Sequence, residues 1–297
     1  MLGRVLALGS LVAVVGVALA IILGSGKGGG SSSIASTTSA NQSSSTHGTT
    51  TSTTTAARQP PAVPILTYNV VNTQPPGSTL PASLYVPVTD FTSQMQALRR
   101  AGWHPITLNQ LASYWSGRRS VAVAKPIVIT FDGGYASQYN NALPVLKQLG
   151  WVGVLDVPLT LLPSSEGGLS TTQVQGLKSA GWEIDALTPT QPDLTTTGAT
   201  TAQQQLSSER QSLSSTYGAP VNWVAYSLGR YNATLAAAAR TAGFAGALTG
   251  AAGWANPAGN RYTLPRVVVS GGTTAAQLQA QIAADQRAAA PPVASSG

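Results

Sequence analysis

One junction recurs four times along the chain and limits the folds open to it more than any other feature. A cation stands near the end of an apolar helical stretch, a glycine follows, and an aromatic residue opens the next apolar run. The four copies are Arg100-Ala101-Gly102-Trp103, Lys147-Gln148-Leu149-Gly150-Trp151, Lys178-Ser179-Ala180-Gly181-Trp182 and Arg240-Thr241-Ala242-Gly243-Phe244. A cation suits the negative end of a helix, and glycine suits the left-handed cap. A helix that ends and feeds a strand four times over implies parallel strands joined by crossover helices.

Apolar periodicity fills in the elements. Strands are expected at 62–67, 126–131, 152–157, 182–187, 222–226, 244–248 and 264–269, and helices at 90–101, 108–115, 137–149, 170–180, 201–217 and 232–242. The strands are near-continuous apolar runs, as expected where helices cover the outer face. With about seven strands and no dinucleotide-type glycine loop, the expectation is an α/β fold, a deformed (β/α) barrel of parallel strands. In such a barrel chemistry gathers at the carboxyl ends of the strands.

Residues 5–23 are nineteen residues without a charge, between Arg4 and Lys27. At 1.5 Å per residue this stretch spans a hydrocarbon core of about 30 Å. Ala18-Leu19-Ala20 also fits a signal-peptidase pattern, so residues 1–24 are a signal anchor or a cleaved signal peptide. Residues 25–60 are mostly Gly, Ser, Thr and Ala and bury too little to order themselves, which makes them a linker. A folded domain at 61–287 and a flexible tail at 288–297 complete the division. The expected location is extracytoplasmic, anchored to the membrane, or secreted if the signal is removed.

The chain has no cysteine, which excludes disulfides and thiolate metal sites. Its net charge of +7 comes from nine acidic residues against sixteen basic ones. The basic residues are scattered, Arg99-Arg100 and Arg118-Arg119 being the pairs, and form no nucleic-acid stripe.

The strand ends carry the motifs. Thr130-Phe131-Asp132-Gly133-Gly134-Tyr135, Gly181 to Thr195, Ala225-Tyr226-Ser227-Leu228-Gly229-Arg230-Tyr231-Asn232, Pro64-Ile65-Leu66-Thr67-Tyr68-Asn69 and Leu264-Pro265-Arg266 stand in order. Together they resemble the polysaccharide deacetylases of the NodB-homology group, carbohydrate esterase family 4. The resemblance implies N-deacetylation of amino-sugar polymers by a divalent metal held by one Asp and two His, with a preceding Asp as base. Asp132 matches that base. The three ligand positions are Gly133, Leu187 and Gln191, and the opening motif has Asn69 where the family has His. Apart from His47, in the linker, the one imidazole is His104, at a strand start on the wrong end of a barrel.

A hydrolytic zinc site takes three protein ligands with nitrogen prominent among them, so no metal or other cofactor is expected. The leading expectation is a deacetylase-like pseudoenzyme that binds an envelope glycan or an envelope protein. One alternative is a hydrolase working without metal through Asp132 and Asp185 as a carboxylate pair. Another is a structural envelope domain. Asp132 is either a turn carboxylate or a retained site residue. Strand alternation puts Glu183, Asp185 and Leu187 on one face, so Asp185 is expected in the pocket, within about 10 Å of Asp132, unless it pairs with Arg230 or Arg266. Asp156 is a further rim candidate. Tyr135, Tyr226, Arg230 and Tyr231 are expected to meet substrate. Replacing Gly133, Leu187 and Gln191 by Asp, His and His is expected to rebuild the metal site.

Overall fold

A computed structural model describes residues 60–117, 123–159, 167–190 and 192–289, with side chains as far as 286. The apolar stretch at 5–23, the linker before Pro60, His47, Arg118-Arg119 and Gln191 lie outside these residues. Among the described residues no helix is long and apolar enough to cross a membrane.

The strands are β1 (Ile65–Tyr68), β2 (His104–Pro105), β3 (Pro126–Asp132), β4 (Val154–Val157), β5 (Glu183–Leu187), β6 (Trp223–Ala225), β7 (Gly246–Leu248) and β8 (Val267–Val268). All pairings between them are parallel, in the order β7-β6-β5-β4-β3-β1-β8, with β2 beside the amino end of β3. The helices are α1 (Val88–Arg100), α2 (Leu108–Trp115), α3 (Leu143–Gln148), α4 (Thr171–Ser179), α5 (Ala199–Tyr217), α6 (Ala233–Thr241) and α7 (Ala275–Ala289). The sheet curls into a half-barrel with the helices outside it. Its two edges meet through 264–269: Leu264 exchanges hydrogen bonds with Ala247 and Thr249, and Val267–Val268 pair with β1.

The four junctions behave as caps. Gly102, Gly150, Gly181 and Gly243 have φ of 79°, 69°, 89° and 86°. Each following aromatic donates its backbone N–H five residues back, as Trp103 does to Leu98 at 3.1 Å and Trp182 to Leu177 at 3.1 Å. Trp103, Trp182 and Phe244 then bury their rings.

Strand alternation divides the core in two. Leu66, Ile129, Phe131, Leu155, Ile184, Val224 and Val267 face the helices. Val63, Ile65, Val128, Val154, Leu187, Trp223, Ala225 and Leu248 face inward, joined at the amino end by Leu108 and Leu111 of α2. One helix escapes the periodicity reading. α7 is rich in Ala and Gln, buries Leu278 and Ile282, and runs through Ala289, past the expected domain end.

Candidate functional site

The sheet register aligns Asp132 of β3 with Asp156 of β4, and Asp156 with Asp185 of β5. Three carboxyls therefore form one inward-facing row, Asp132 to Asp185 spanning two strand spacings, about 10 Å. Arg266, just ahead of β8, reaches into the same space and is fully buried. Its Nη1 and Nη2 donate to the two oxygens of Asp132 at 2.7 and 2.8 Å, Nε donates to the Thr249 carbonyl at 2.9 Å, and Nη1 also donates to Thr130 Oγ1 at 3.1 Å. Thr67 Oγ1 donates to Asp132 Oδ1 at 3.2 Å. Burial alone would lower the Arg266 pKa, and the charges of Asp132 and Asp156 more than offset it. Asp132 is thus neither a simple turn carboxylate nor a free base. It is half of a buried bidentate ion pair.

Asp156 lies 3.6 Å from Arg266 Nη1, beyond hydrogen-bonding distance. Neither of its oxygens meets an N–H or hydroxyl donor. Burial holds its pKa well above the usual carboxylate range, the Asp132 charge adds to that, and Arg266 opposes it. A proton kept on Asp156 gives it a donor to share with Asp132. Asp185 is also fully buried; its Oδ1 accepts the backbone N–H groups of Asn222 at 3.0 Å and Trp223 at 2.9 Å. Burial and then the nearby Glu183 carboxylate raise its pKa. Asp185 faces inward as alternation requires, yet it sits below the mouth, inside the barrel, where a polymer cannot touch it. Neither arginine pairs with it: Arg266 holds Asp132, and Arg230 meets Asp193 at 3.3 Å on the surface.

At the mouth, Gly133 has φ +104°, and a Cβ placed on it would lie 2.5 Å from Cε2 of Tyr135. The Tyr135 ring is buried against Val70 and Tyr85, filling the space that a carboxylate at position 133 would need. Leu187 packs inward with Ala225 and Leu248. A divalent metal does not fit these residues. Position 133 offers no side chain, the space beside it is occupied, and Leu187 has no donor atom. Gln191, in the remaining position, lies outside the described residues and carries an amide where the family has imidazole. Among the described residues no group of three or more His, Asp or Glu side chains could hold a metal ion.

The expected sugar contacts separate. Tyr226 follows Ala225, which faces inward, so its ring turns outward into the helical layer, where it is fully buried and its hydroxyl donates to the Tyr262 carbonyl at 3.0 Å. It is not a rim residue. Tyr231 stacks on it at 5.6 Å and is 42% exposed. Leu228 is 66% exposed with φ 55°. Ser227 ties this loop to the end of β5: its N–H donates to Thr188 Oγ1 at 2.9 Å and its hydroxyl donates to the Thr188 carbonyl. The hollow among Thr188, Asp193, Ser227, Leu228 and Arg230 has a volume of only about 10 Å³, room for one water. Tyr231, Leu228 and Arg230 therefore form an exposed rim over a closed centre.

Sequence reasoning names both residues and misses their roles: Arg266 is weighed as a partner of Asp185 and pairs with Asp132, and Tyr135 is expected to meet substrate and instead fills the space beside Gly133.

Residues 120–247 match the polysaccharide deacetylase family model. The chain is 28% identical over 229 residues to YxkH of Bacillus subtilis (strain 168), which bears the polysaccharide deacetylase designation; the match covers 75% of this chain and 77% of that protein. Among solved structures, it resembles the Streptococcus pyogenes deacetylase PplD in complex with acetate, with a TM-score of 0.68 at 24% identity, over 75% of this chain and 99% of that one. It also resembles BC0361, a polysaccharide deacetylase from Bacillus cereus, with a TM-score of 0.64 at 22% identity, over 74% of this chain and 68% of that one. At these identities the solved structures establish a shared fold.

Proposed function

We propose that the chain, whose residues 120–247 match the polysaccharide deacetylase family model, is a deacetylase-like protein that binds a glycan without metal-dependent deacetylation. The observation that carries this is the fit of Tyr135 over Gly133, which replaces a ligand side chain by a packed ring. Beside it, Arg266 holds Asp132 in a buried bidentate ion pair.

Binding then falls to the rim. Tyr231 offers an exposed aromatic face of the kind that stacks on sugar rings, Leu228 extends it, and Arg230 stands beside it. The metal-free hydrolase with Asp132 and Asp185 is disfavoured by the burial of Asp185. We place the domain outside the cytoplasm, tethered through residues 5–23, on the sequence of that stretch alone. An envelope glycan is the partner that matches this location.

The test measures metal content, acetate release from N-acetylglucosamine oligomers and retention on cell-wall glycan in one preparation. The reading expects sub-stoichiometric metal, no acetate release with or without added zinc, and retention that Tyr231→Ala weakens. Stoichiometric metal with zinc-dependent acetate release would overturn it. Fractionation of cells reports the location: the full chain should sediment with membranes, or appear outside as a form shortened after Ala20.

A further inference from the structure

A hollow lies at the opposite end of the barrel from the rim. It has a volume of about 350 Å³ and lies between α7 and the segments leading into β1 and β3. That size falls within the range of small-molecule sites, roughly 300–1,000 Å³. Trp103, Trp254, Pro126, Ile282 and Ala283 supply an apolar wall. The two indoles meet edge to face at 5.7 Å, and Trp254 Nε1 donates to the Ile282 carbonyl at 2.9 Å, so this wall is fixed by contacts of its own.

Among the described residues, one charge lines the hollow. Lys125 Nζ lies 4.4 Å from the centre of the Trp103 ring and donates to the Ala101 carbonyl at 3.0 Å. No carboxylate lines the hollow, and Lys125 enters no ion pair among the described residues. The remaining polar groups are the amides of Gln279 and Gln286 on α7, which can donate to an oxygen. An ammonium at the edge of an apolar, acid-free hollow selects an anionic head on an apolar body. A neutral ligand gains nothing from Lys125, and a cation is repelled.

We infer that this hollow binds a small amphipathic carboxylate, with its aliphatic or aromatic body against Trp103, Trp254 and Ile282 and its carboxylate on Lys125. The site is independent of the glycan reading, since no residue of the rim contributes to it.

The experiment titrates the full chain with octanoate, 1-octanol and octylammonium, which share one body and differ in charge. Binding is followed by calorimetry and by indole fluorescence. The expected result is saturable one-to-one binding of octanoate, with octanol weaker and octylammonium weakest. Lys125→Met should weaken octanoate about tenfold, the scale of one lost charge-assisted contact, and leave octanol within about twofold. Ala283→Phe, at an exposed helix position, should fill the hollow and abolish binding of both. Thermal melts of each variant confirm that it is folded. Equal binding of octanoate and octanol would overturn the anion assignment. Absence of saturable octanoate binding, or binding unchanged in Ala283→Phe, would overturn the site.

Discussion

The ring of Tyr135 lies so close over Gly133 that a side chain at position 133 fits only if the ring moves. A Cβ at 133 would stand 2.5 Å from Tyr135 Cε2, and the φ of +104° lies where L side chains are strained. Gly133→Asp should therefore lose roughly 1–3 kcal/mol from backbone strain, with a further loss from displacing the ring. Adding Tyr135→Ala should recover the steric part but not the strain. Urea melts of the single and double variants measure both. The expectation that Gly133→Asp, Leu187→His and Gln191→His rebuild a metal site is revised accordingly: the triple variant should bind zinc poorly, because the 133 side chain has no room to point inward. Stoichiometric zinc in that variant would show that the ring yields easily.

Arg266 and Asp132 give the second prediction. Removing one partner of a buried ion pair leaves the other charge uncompensated, at a cost of about 3–5 kcal/mol. Arg266→Met should approach that cost, and it also frees the Thr249 carbonyl and Thr130 hydroxyl that the guanidinium now engages. Asp132→Asn should be costly too. The double variant Asp132→Asn/Arg266→Met should be more stable than the sum of the two losses implies, a coupling that chemical denaturation reads directly.

How much of this was legible in the sequence follows from distance along the chain. The helix–glycine–aromatic junctions are local, so Gly102, Gly150, Gly181 and Gly243 announced the parallel α/β fold without help from tertiary contacts. The inward turn of Asp185 was legible as well, because alternation fixes it relative to Leu187. Its depth was not, since that depends on Asn222 and Trp223 from the next strand. The ion pair joins residues 134 apart, and no local pattern encodes such a partner. Tyr226 was misread for a simpler reason: it belongs to the opposite parity from Ala225, and its place at a strand end suggested a rim.

The buried acids predict an unusual pH dependence. Asp156 and Asp185 have folded pKa values raised well above 3.8, first by burial and then by neighbouring carboxylates. The folded state then holds protons that the unfolded chain releases near that pH. Their contribution to stability is fully present below the unfolded value and is lost as pH rises through the folded values. The denaturation midpoint should therefore decrease as pH rises above the unfolded value of 3.8. Asp156→Asn, neutral at every pH and close in shape, should flatten part of that slope.

Glu209 of α5 adds a bounded window. Burial pushes its carboxyl from 4.5 up to about 7, and the Leu159 backbone N–H, 3.2 Å away, pulls the other way. Its stabilising share is present below pH 4.5 and gone above about 7. Glu209→Gln keeps an acceptor for Leu159 and removes the titration, so stability curves of variant and parent should converge at acid pH and separate at neutral pH, with the variant the more stable.

Leu228 decides whether the rim is maintained for binding. Its φ of 55° is the one positive value among the described non-glycine residues, and its side chain projects into solvent with 66% exposure. A leucine in that conformation costs roughly 1–2 kcal/mol, which an exposed apolar side chain does not recover by burial. Asparagine tolerates the left-handed region better, and it does so without the added unfolded-state entropy of glycine. Leu228→Asn should therefore melt higher than the parent by part of that cost. Leu228→Ala should keep the strain and melt close to the parent. Both remove the apolar surface beside Tyr231, so both should lower glycan retention several-fold if the loop holds Leu228 outward for contact. A Leu228→Asn protein that is more stable and binds glycan as well as the parent would separate the strain from the rim, leaving Tyr231 to carry the interaction.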